Sequence, residues 1–335
     1  MSINRNFQVR LAARPEGLPT SQHWEMSSTE ILVPSDGEVL VETVFVSVDP
    51  AMRGWLRDAK SYLPPVAIGE VMRAGGVGTV MVSSHPDFDE GDQVVGHLGV
   101  QSHAIVKGDG LRKVSAKIAP LSAFLGVLGM PGMTAYFGVT DVGALKPGDA
   151  VLVSAASGAV GSIAGQVARN RGADRVVGMA GGDEKCRHVV EDLRFDAAIN
   201  YKTEPVSEKI EEHCPDGIDV FFDNVGGELL DAALSRLRCG ARVVLCGAIS
   251  QYNDLDNVRG PKNYLSLLRN RARMQGFIVS DYAEQYPRAA KEMAAWLAQG
   301  TLRHRETIVK GLETFPETFQ RLFTGDKVGK LLIQV

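Results

Sequence analysis

The sequence predicts an α/β fold of two domains, one a doubly wound parallel sheet and the other mostly β. Three observations predict it. Strand-like and helix-like segments alternate from about residue 130, a glycine-rich strand-to-helix turn lies inside that stretch, and short alternating strands precede it. A length of 335 residues suits about two domains. Hydrophobic residues at 44% and charged residues at 23% leave enough apolar side chains for a sizeable core.

Residues 1–127 read as short strands cut by glycine, proline and acidic turns. Residues 38–46 alternate like a half-buried strand, residues 77–82 form a second, and residues 93–96 follow the turn Glu90-Gly91-Asp92. In the second half the predicted strands are 150–153, 175–179, 197–200, 218–223, 242–246 and 273–279, most of them separated by helical stretches. Six such strands suit the order that places a ligand where the strand sequence reverses. After about residue 303 the chain returns to the first domain and ends in a strand at 330–335. The expected domains are therefore 1–127 with 303–335, and 128–302.

The turn carries the first chemical signal. Lys146-Pro147-Gly148-Asp149 leads into the strand at 150–153, and Ala155-Ala156-Ser157-Gly158-Ala159-Val160-Gly161 follows it. This is a variant of the Rossmann dinucleotide fingerprint. Glycine at 158 lets backbone N–H groups approach a pyrophosphate, and glycine at 161 lets the next helix pack closely on the sheet. Val160, Ile163, Ala164, Val167 and Ala168 then recur at helical spacing. The N-terminus of that helix faces the phosphates with partial positive charge. Gly158, Ala159, Val160 and Gly161 are the candidate pyrophosphate residues.

An NAD site usually has an acid about 20 residues beyond the turn, on the ribose hydroxyls. Here the strand ends Gly178-Met179-Ala180-Gly181-Gly182 without one, and Asp183 comes slightly later, which keeps NAD open. Lys185 and Arg187 follow, and a cation there suits a 2′-phosphate, so NADPH is the favoured cofactor. A solvated charge cluster at a helix start is the alternative.

No metal is expected. The cysteines Cys186, Cys214, Cys239 and Cys246 all lie in the second half without Cys-x-x-Cys spacing, so they read as free buried thiols of a reducing compartment. His85, His97 and His103 lack a partner ligand and read as loop or surface residues, and Ile68-Gly69-Glu70 lacks the histidine of a zinc segment. A formal net charge of −4 argues against a nucleic-acid partner. No apolar run reaches the roughly 18–20 residues of a membrane span, and Met1-Ser2-Ile3-Asn4-Arg5-Asn6 has no apolar leader core. A cytoplasmic location is expected.

Several segments together resemble the zinc-independent medium-chain reductases related to prostaglandin/leukotriene reductases, and among them the bacterial curcumin reductase type. They are Val46-Ser47-Val48-Asp49-Pro50-Ala51-Met52-Arg53-Gly54, Leu128-Gly129-Met130-Pro131-Gly132-Met133-Thr134-Ala135-Tyr136, the turn, Gly181-Gly182-Asp183-Glu184-Lys185-Cys186-Arg187, Phe222-Asp223-Asn224-Val225-Gly226-Gly227 and Cys246-Gly247-Ala248-Ile249-Ser250-Gln251-Tyr252-Asn253. The resemblance implies a GroES-like first domain. It also implies that Lys185 and Tyr201 contact the 2′-phosphate and that Asn224 reaches the cofactor ribose. Cys246, Gly247, Ala248, Ile249, Ser250 and Tyr252 would line the nicotinamide side, Phe277-Ile278-Val279 would close over the ring, and Thr134 would lie near it. Two positions depart from the pattern. Ala51 stands where the family has a tyrosine, and Lys327 where it has a cofactor-binding asparagine.

The implied reaction reduces a carbon–carbon double bond conjugated to a carbonyl. Hydride from NADPH reaches the β-carbon, and the resulting enolate is protonated at the α-carbon. Tyr252 is the candidate proton source, since a phenol of ordinary pKa about 10 is neutral at pH 7. Tyr62, in Ser61-Tyr62-Leu63-Pro64-Pro65, is a candidate second active-site tyrosine. For either, a packing role with a hydrogen-bonded hydroxyl is the alternative. The expected substrate is a hydrophobic enone in a cleft between the domains, and the expected assembly is a homodimer built through the nucleotide domain. A quinone reductase, or a non-catalytic NADPH-binding sensor, are the rival functions.

Overall fold

The computed structural model describes residues 5–335, so Met1–Asn4 of the segment read for a leader lie outside the described residues. The chain divides into two compact units. One comprises Met1–Leu125, Thr307–Lys327 and Leu331–Val335, the other Gly126–Glu306 and Val328–Lys330.

The second unit is built on a six-stranded sheet whose neighbours are all parallel. From edge to edge its strands are Ala197–Asn200, Arg175–Ala180, Ala150–Val153, Ile218–Asp223, Leu237–Leu245 and Arg273–Gly276. Numbered in chain order they run 3-2-1-4-5-6, and the order reverses between the first and fourth. That reversal places the carboxyl ends of Ala150–Val153 and Ile218–Asp223 side by side, where open α/β sheets hold ligands. Val151, Leu152, Val153, Val176, Val177, Phe221, Phe222 and Val244 are completely buried. A parallel sheet covered on both faces requires such unbroken apolar runs. Helices Gly161–Asn170, Asp183–Glu191, Val206–His213 and Gly227–Leu234 make the returns. In the first of these Ala164, Val167 and Ala168 are fully buried and Ile163 nearly so, which is the face its spacing predicts.

Several boundaries differ from expectation. The fifth strand begins at Leu237, five residues early, because the pairing with Ile218–Asp223 starts at Leu237 and shifts register before Arg242. The sixth ends at Gly276 instead of 279. It is an edge strand with one partner, and Phe277 and Ile278 leave it to line a cavity. Val160 lies just ahead of its helix and is half-buried.

The first unit is β-rich and mostly antiparallel. Glu38–Ser47 is its centre, pairing with Gly75–Ser83, His103–Lys107 and the C-terminal strand Lys330–Gln334. Gln93–His97 extends the sheet beyond Gly75–Ser83. A separate antiparallel pair, Arg5–Leu11 with Trp24–Glu30, was not among the expected strands. Its Trp24 meets Phe315 edge to face at 4.9 Å, and Phe315 stacks on Phe319 at 5.6 Å. These rings anchor the helix Phe315–Thr324 in the core of this unit. Among the described residues no helix is long and apolar enough to cross a membrane.

Candidate active site

The phosphate turn leaves the first sheet strand through Ala155, held at φ 49°, a left-handed conformation uncommon for a residue with a side chain. Gly158 N–H donates to the Ala155 carbonyl at 2.8 Å and closes the turn. A Cβ on Gly161 would sit 2.4 Å from the Ala155 carbonyl oxygen and 3.1 Å from Ala156 Cα. Gly161 therefore packs against the turn's own backbone, whereas its expected role was close packing on the sheet. At the start of Gly161–Asn170, Ser162 N–H donates to the Gly158 carbonyl at 3.0 Å and Ala164 N–H to the Val160 carbonyl at 2.9 Å, so this end offers an anion chiefly the partial positive charge of a helix N-terminus. From far along the chain, Gly329 N–H donates to the Ser157 carbonyl at 2.8 Å, and Gly329 bridges Gly158. This clip was not among the expected features of the turn.

At the end of Arg175–Ala180, Asn200 organises the chain. Its side-chain oxygen accepts Gly182 N–H at 3.0 Å and Lys202 N–H at 3.2 Å, while its amide nitrogen donates to Asp183 Oδ1 at 2.7 Å. The Asp183 carboxylate, the one acid left open for ribose, is thus engaged by Asn200. Lys185 is half-buried on the helix Asp183–Glu191, and Arg187 beside it is exposed. The Tyr201 hydroxyl lies over Gly181, where a Cβ would be 2.6 Å from it. Burial, with a smaller contribution from Cys186, pushes the Tyr201 phenol above its usual range, so it stays a proton donor. Lys185 and Tyr201 are therefore both carried at the carboxyl edge of the second and third strands. Asn200 had not been singled out. The only hint was an asparagine ending an otherwise apolar strand.

Across the sheet reversal, Asp223 is completely buried. Its carboxylate accepts Ser154 Oγ–H at 2.8 Å, Val225 N–H at 2.9 Å and Gly226 N–H at 3.0 Å. Burial raises its pKa, and those three hydrogen bonds oppose the rise. Asn224 is fixed by Ser154 twice, its N–H donating to Ser154 Oγ at 2.7 Å and its Nδ2 to the Ser154 carbonyl at 2.8 Å. The segment 246–252 is pinned to the same turn. Cys246 N–H donates to the Asp223 carbonyl at 2.8 Å, Ile249 N–H to Asn224 at 3.2 Å, and Ser250 Oγ–H to Val225 at 2.6 Å. Asp223 is the hub that residue-by-residue reading missed. Its signal was a serine and an aspartate ending two strands that the fold order makes neighbours.

A cavity of about 670 Å³ opens here, with Cys246, Gly247, Ala248, Tyr252, Phe277 and Ile278 in its wall. The Tyr252 phenolic oxygen accepts Ala248 N–H at 3.2 Å, so the ring folds back over the segment that carries it. Burial pushes the Cys246 thiol up to about 12, which leaves it neutral and poorly nucleophilic. Val279 is not in the wall. It opens the next helical turn, with its carbonyl accepting the Tyr286 hydroxyl at 3.0 Å. Thr134 Oγ–H donates to the Met130 carbonyl at 2.8 Å inside the helix Met130–Phe137. Four residues on, a Cβ at Gly138 would meet the Phe277 ring at 2.9 Å, so that helix face is turned toward Phe277. Tyr62 lies in the first unit, on a loop, and is 53% exposed.

Comparison with known proteins decides the family. Residues 8–114 match the family described as N-terminal domain of oxidoreductase, and residues 159–296 match the one described as zinc-binding dehydrogenase. The chain is 46% identical to a putative NADP-dependent oxidoreductase of Bacillus subtilis, covering 98% of this chain and 97% of the relative. It is 42% identical to the NADPH-dependent curcumin reductase of Escherichia coli, covering 99% and 97%. The crystal structure of CurA from Vibrio vulnificus in complex with NADPH superposes with a TM-score of 0.93 at 43% identity, covering 99% of each chain. The chain belongs to the medium-chain dehydrogenase/reductase family.

One of those family descriptions, zinc-binding dehydrogenase, names a metal. Among the described residues no group of three or more His, Cys, Asp or Glu is placed to hold a metal. His97 and His103, expected in a loop or at the surface, stand at strand ends. Burial, reinforced at His97 by Arg73, lowers the pKa of both. His85 packs on the Phe88 ring at 5.4 Å. No step below passes through a metal.

Proposed function

We propose that the chain is an NADPH-dependent reductase of enones and alkenals, acting on the carbon–carbon double bond conjugated to the carbonyl. The observation that carries the reading is the cavity wall itself, where a phenol stands on the segment that the sheet reversal pins beside the phosphate turn. The full-length likeness to a curcumin reductase supports the substrate class. The parallel-sheet unit is the nucleotide domain and the β unit the substrate domain.

The site fits NADPH through its own residues. Gly158, Ala159, Val160 and Gly161 present the helix N-terminus to the pyrophosphate, with no side chain at 158 or 161 in the way. Lys185 and Tyr201 hold the 2′-phosphate, Asn224 the ribose. Cys246, Gly247, Ala248, Ile249 and Ser250 form the nicotinamide side, faced by Phe277 and Ile278, with Thr134 nearby. When bound, NADPH supplies the hydride. Tyr252 holds a proton at its phenolic oxygen, and the hydrogen bond received from Ala248 N–H makes that oxygen a better proton donor. The proton passes to the enolate as charge develops on it. For Tyr62 a second active-site role rests on the resemblance alone.

The test is NADPH oxidation by purified protein with simple enones and with quinones. Turnover of enones supports the reading, quinone turnover alone makes the chain a quinone reductase, and no turnover with tight NADPH binding makes it a sensor. Tyr252→Phe is expected to lower kcat on an enone about a hundredfold, with the NADPH Kd within a few-fold of the parent. An unchanged kcat would reduce Tyr252 to a packing residue.

The homodimer is proposed to form along the outer strand Arg273–Gly276. That strand has one hydrogen-bonded neighbour, and Leu268, Tyr264 and Leu265 beside it are 76%, 57% and 54% exposed. Leu268→Glu is expected to halve the mass found by size-exclusion chromatography with light scattering, and a monomeric parent would refute the dimer. The four cysteines are free, but only Cys214 is buried as expected, with Cys186 and Cys246 half-buried and Cys239 exposed; free thiols support a cytoplasmic location.

A further inference from the structure

One cation at the end of Arg175–Ala180 has no part in the reading so far. Asn200 ends the neighbouring strand in register with Ala180, and Tyr201-Lys202 turn back from it. The buried Asn200 amide accepts both Lys202 N–H and Gly182 N–H, so a single side chain sets these two turns against each other. Lys202 then lies across Gly181. A Cβ built there would be 3.0 Å from Lys202 Cε, beside the Tyr201 hydroxyl. The ammonium is one bond further on and exposed. Two acids around Asn200 are both engaged. Asp183 accepts the Asn200 amide, and Glu204 accepts Asn200 N–H at 2.6 Å while facing Lys209 at 4.0 Å.

We propose that Lys202 is a second cation for the 2′-phosphate of NADPH, acting with Lys185 and Tyr201, and that it sets the preference for NADPH over NADH. The proposal rests on the NADPH reading above. A phosphate monoester carries about −1.5 to −2 charge at pH 7, more than one lysine neutralises. Gly181 has no side chain to separate Lys202 from a group bound at the strand tip. Lysine acts there as a flexible point charge, so the contact needs proximity and little orientation.

Calorimetric binding of NADPH, NADH and 2′,5′-ADP to the full chain tests this, using Lys202→Ala, Lys202→Arg and Lys185→Ala. Lys202→Ala is expected to weaken NADPH and 2′,5′-ADP about tenfold while NADH stays within about twofold. Lys202→Arg should keep most of the affinity. Unchanged NADH binding also certifies that the variant is folded. If Lys202→Ala binds NADPH like the parent while Lys185→Ala does not, the assignment to Lys202 fails. If the parent itself binds NADPH and NADH equally, the NADPH reading fails instead.

Discussion

Replacing Asp223 by alanine is expected to destabilise the fold by about 3 kcal/mol or more, because each buried donor left without an acceptor costs about 1–3 kcal/mol. Two of its donors, Val225 N–H and Gly226 N–H, are fixed backbone groups, while the Ser154 hydroxyl can rotate away. The raised pKa shows that burial outweighs those hydrogen bonds for the charged form. The loss on going to alanine therefore lies in the acceptor positions and not in the charge. Asparagine keeps one oxygen and should lose less.

The pH dependence follows from the direction of that shift. An acid whose pKa is raised on folding adds stability that is full below its unfolded value, near 3.9. That stability is lost as pH rises through the folded pKa. Asp223→Asn removes this slope, so urea unfolding across acid pH should show the parent losing stability relative to the variant as pH rises. A pH-independent difference would contradict the assignment. Because Ile249 and Ser250 hang from Asn224 and Val225, Asp223→Ala should also weaken NADPH by about tenfold or more.

The second large effect is expected at Gly161. Every atom within 3.1 Å of an added Cβ belongs to the backbone of Ala155 or Ala156, so no rotamer change relieves the clash. Gly161→Ala must move the turn, at an overpacking cost of about 1–3 kcal/mol, and that same turn presents the helix N-terminus. Fluorescence titration should show NADPH affinity falling more than about tenfold, with a lowered Tm. Normal affinity would mean that the pyrophosphate sits elsewhere.

What could be read from the sequence was local. The nucleotide-domain strands stood out because a sheet buried on both faces demands unbroken runs such as Ala150–Val153 and Ile218–Asp223. The strand-to-helix turn was legible because glycine spacing and the apolar period after it encode that local geometry. Arg5–Leu11 and Trp24–Glu30 were missed, since their outward residues are polar and their pairing depends on a partner in another segment. Phe277 and Ile278 continued an apolar run past Gly276, and periodicity cannot distinguish a strand residue from one that walls a cavity. Asp223 and Asn200 join near neighbours in the chain to groups that strand order brings close, Ser154 for Asp223 and Gly182 and Asp183 for Asn200. Neither has a spacing that would betray it.

The bond from Gly329 N–H to the Ser157 carbonyl has a bearing on how the protein is made. The two residues are separated by roughly half of the given sequence, so the turn is made well before its clip. Closure over such a distance is slow. A polypeptide truncated before Gly329 would hold the parallel sheet without this clip on the phosphate turn, and a looser grip on a nucleotide would show as a smaller ligand-driven gain in stability.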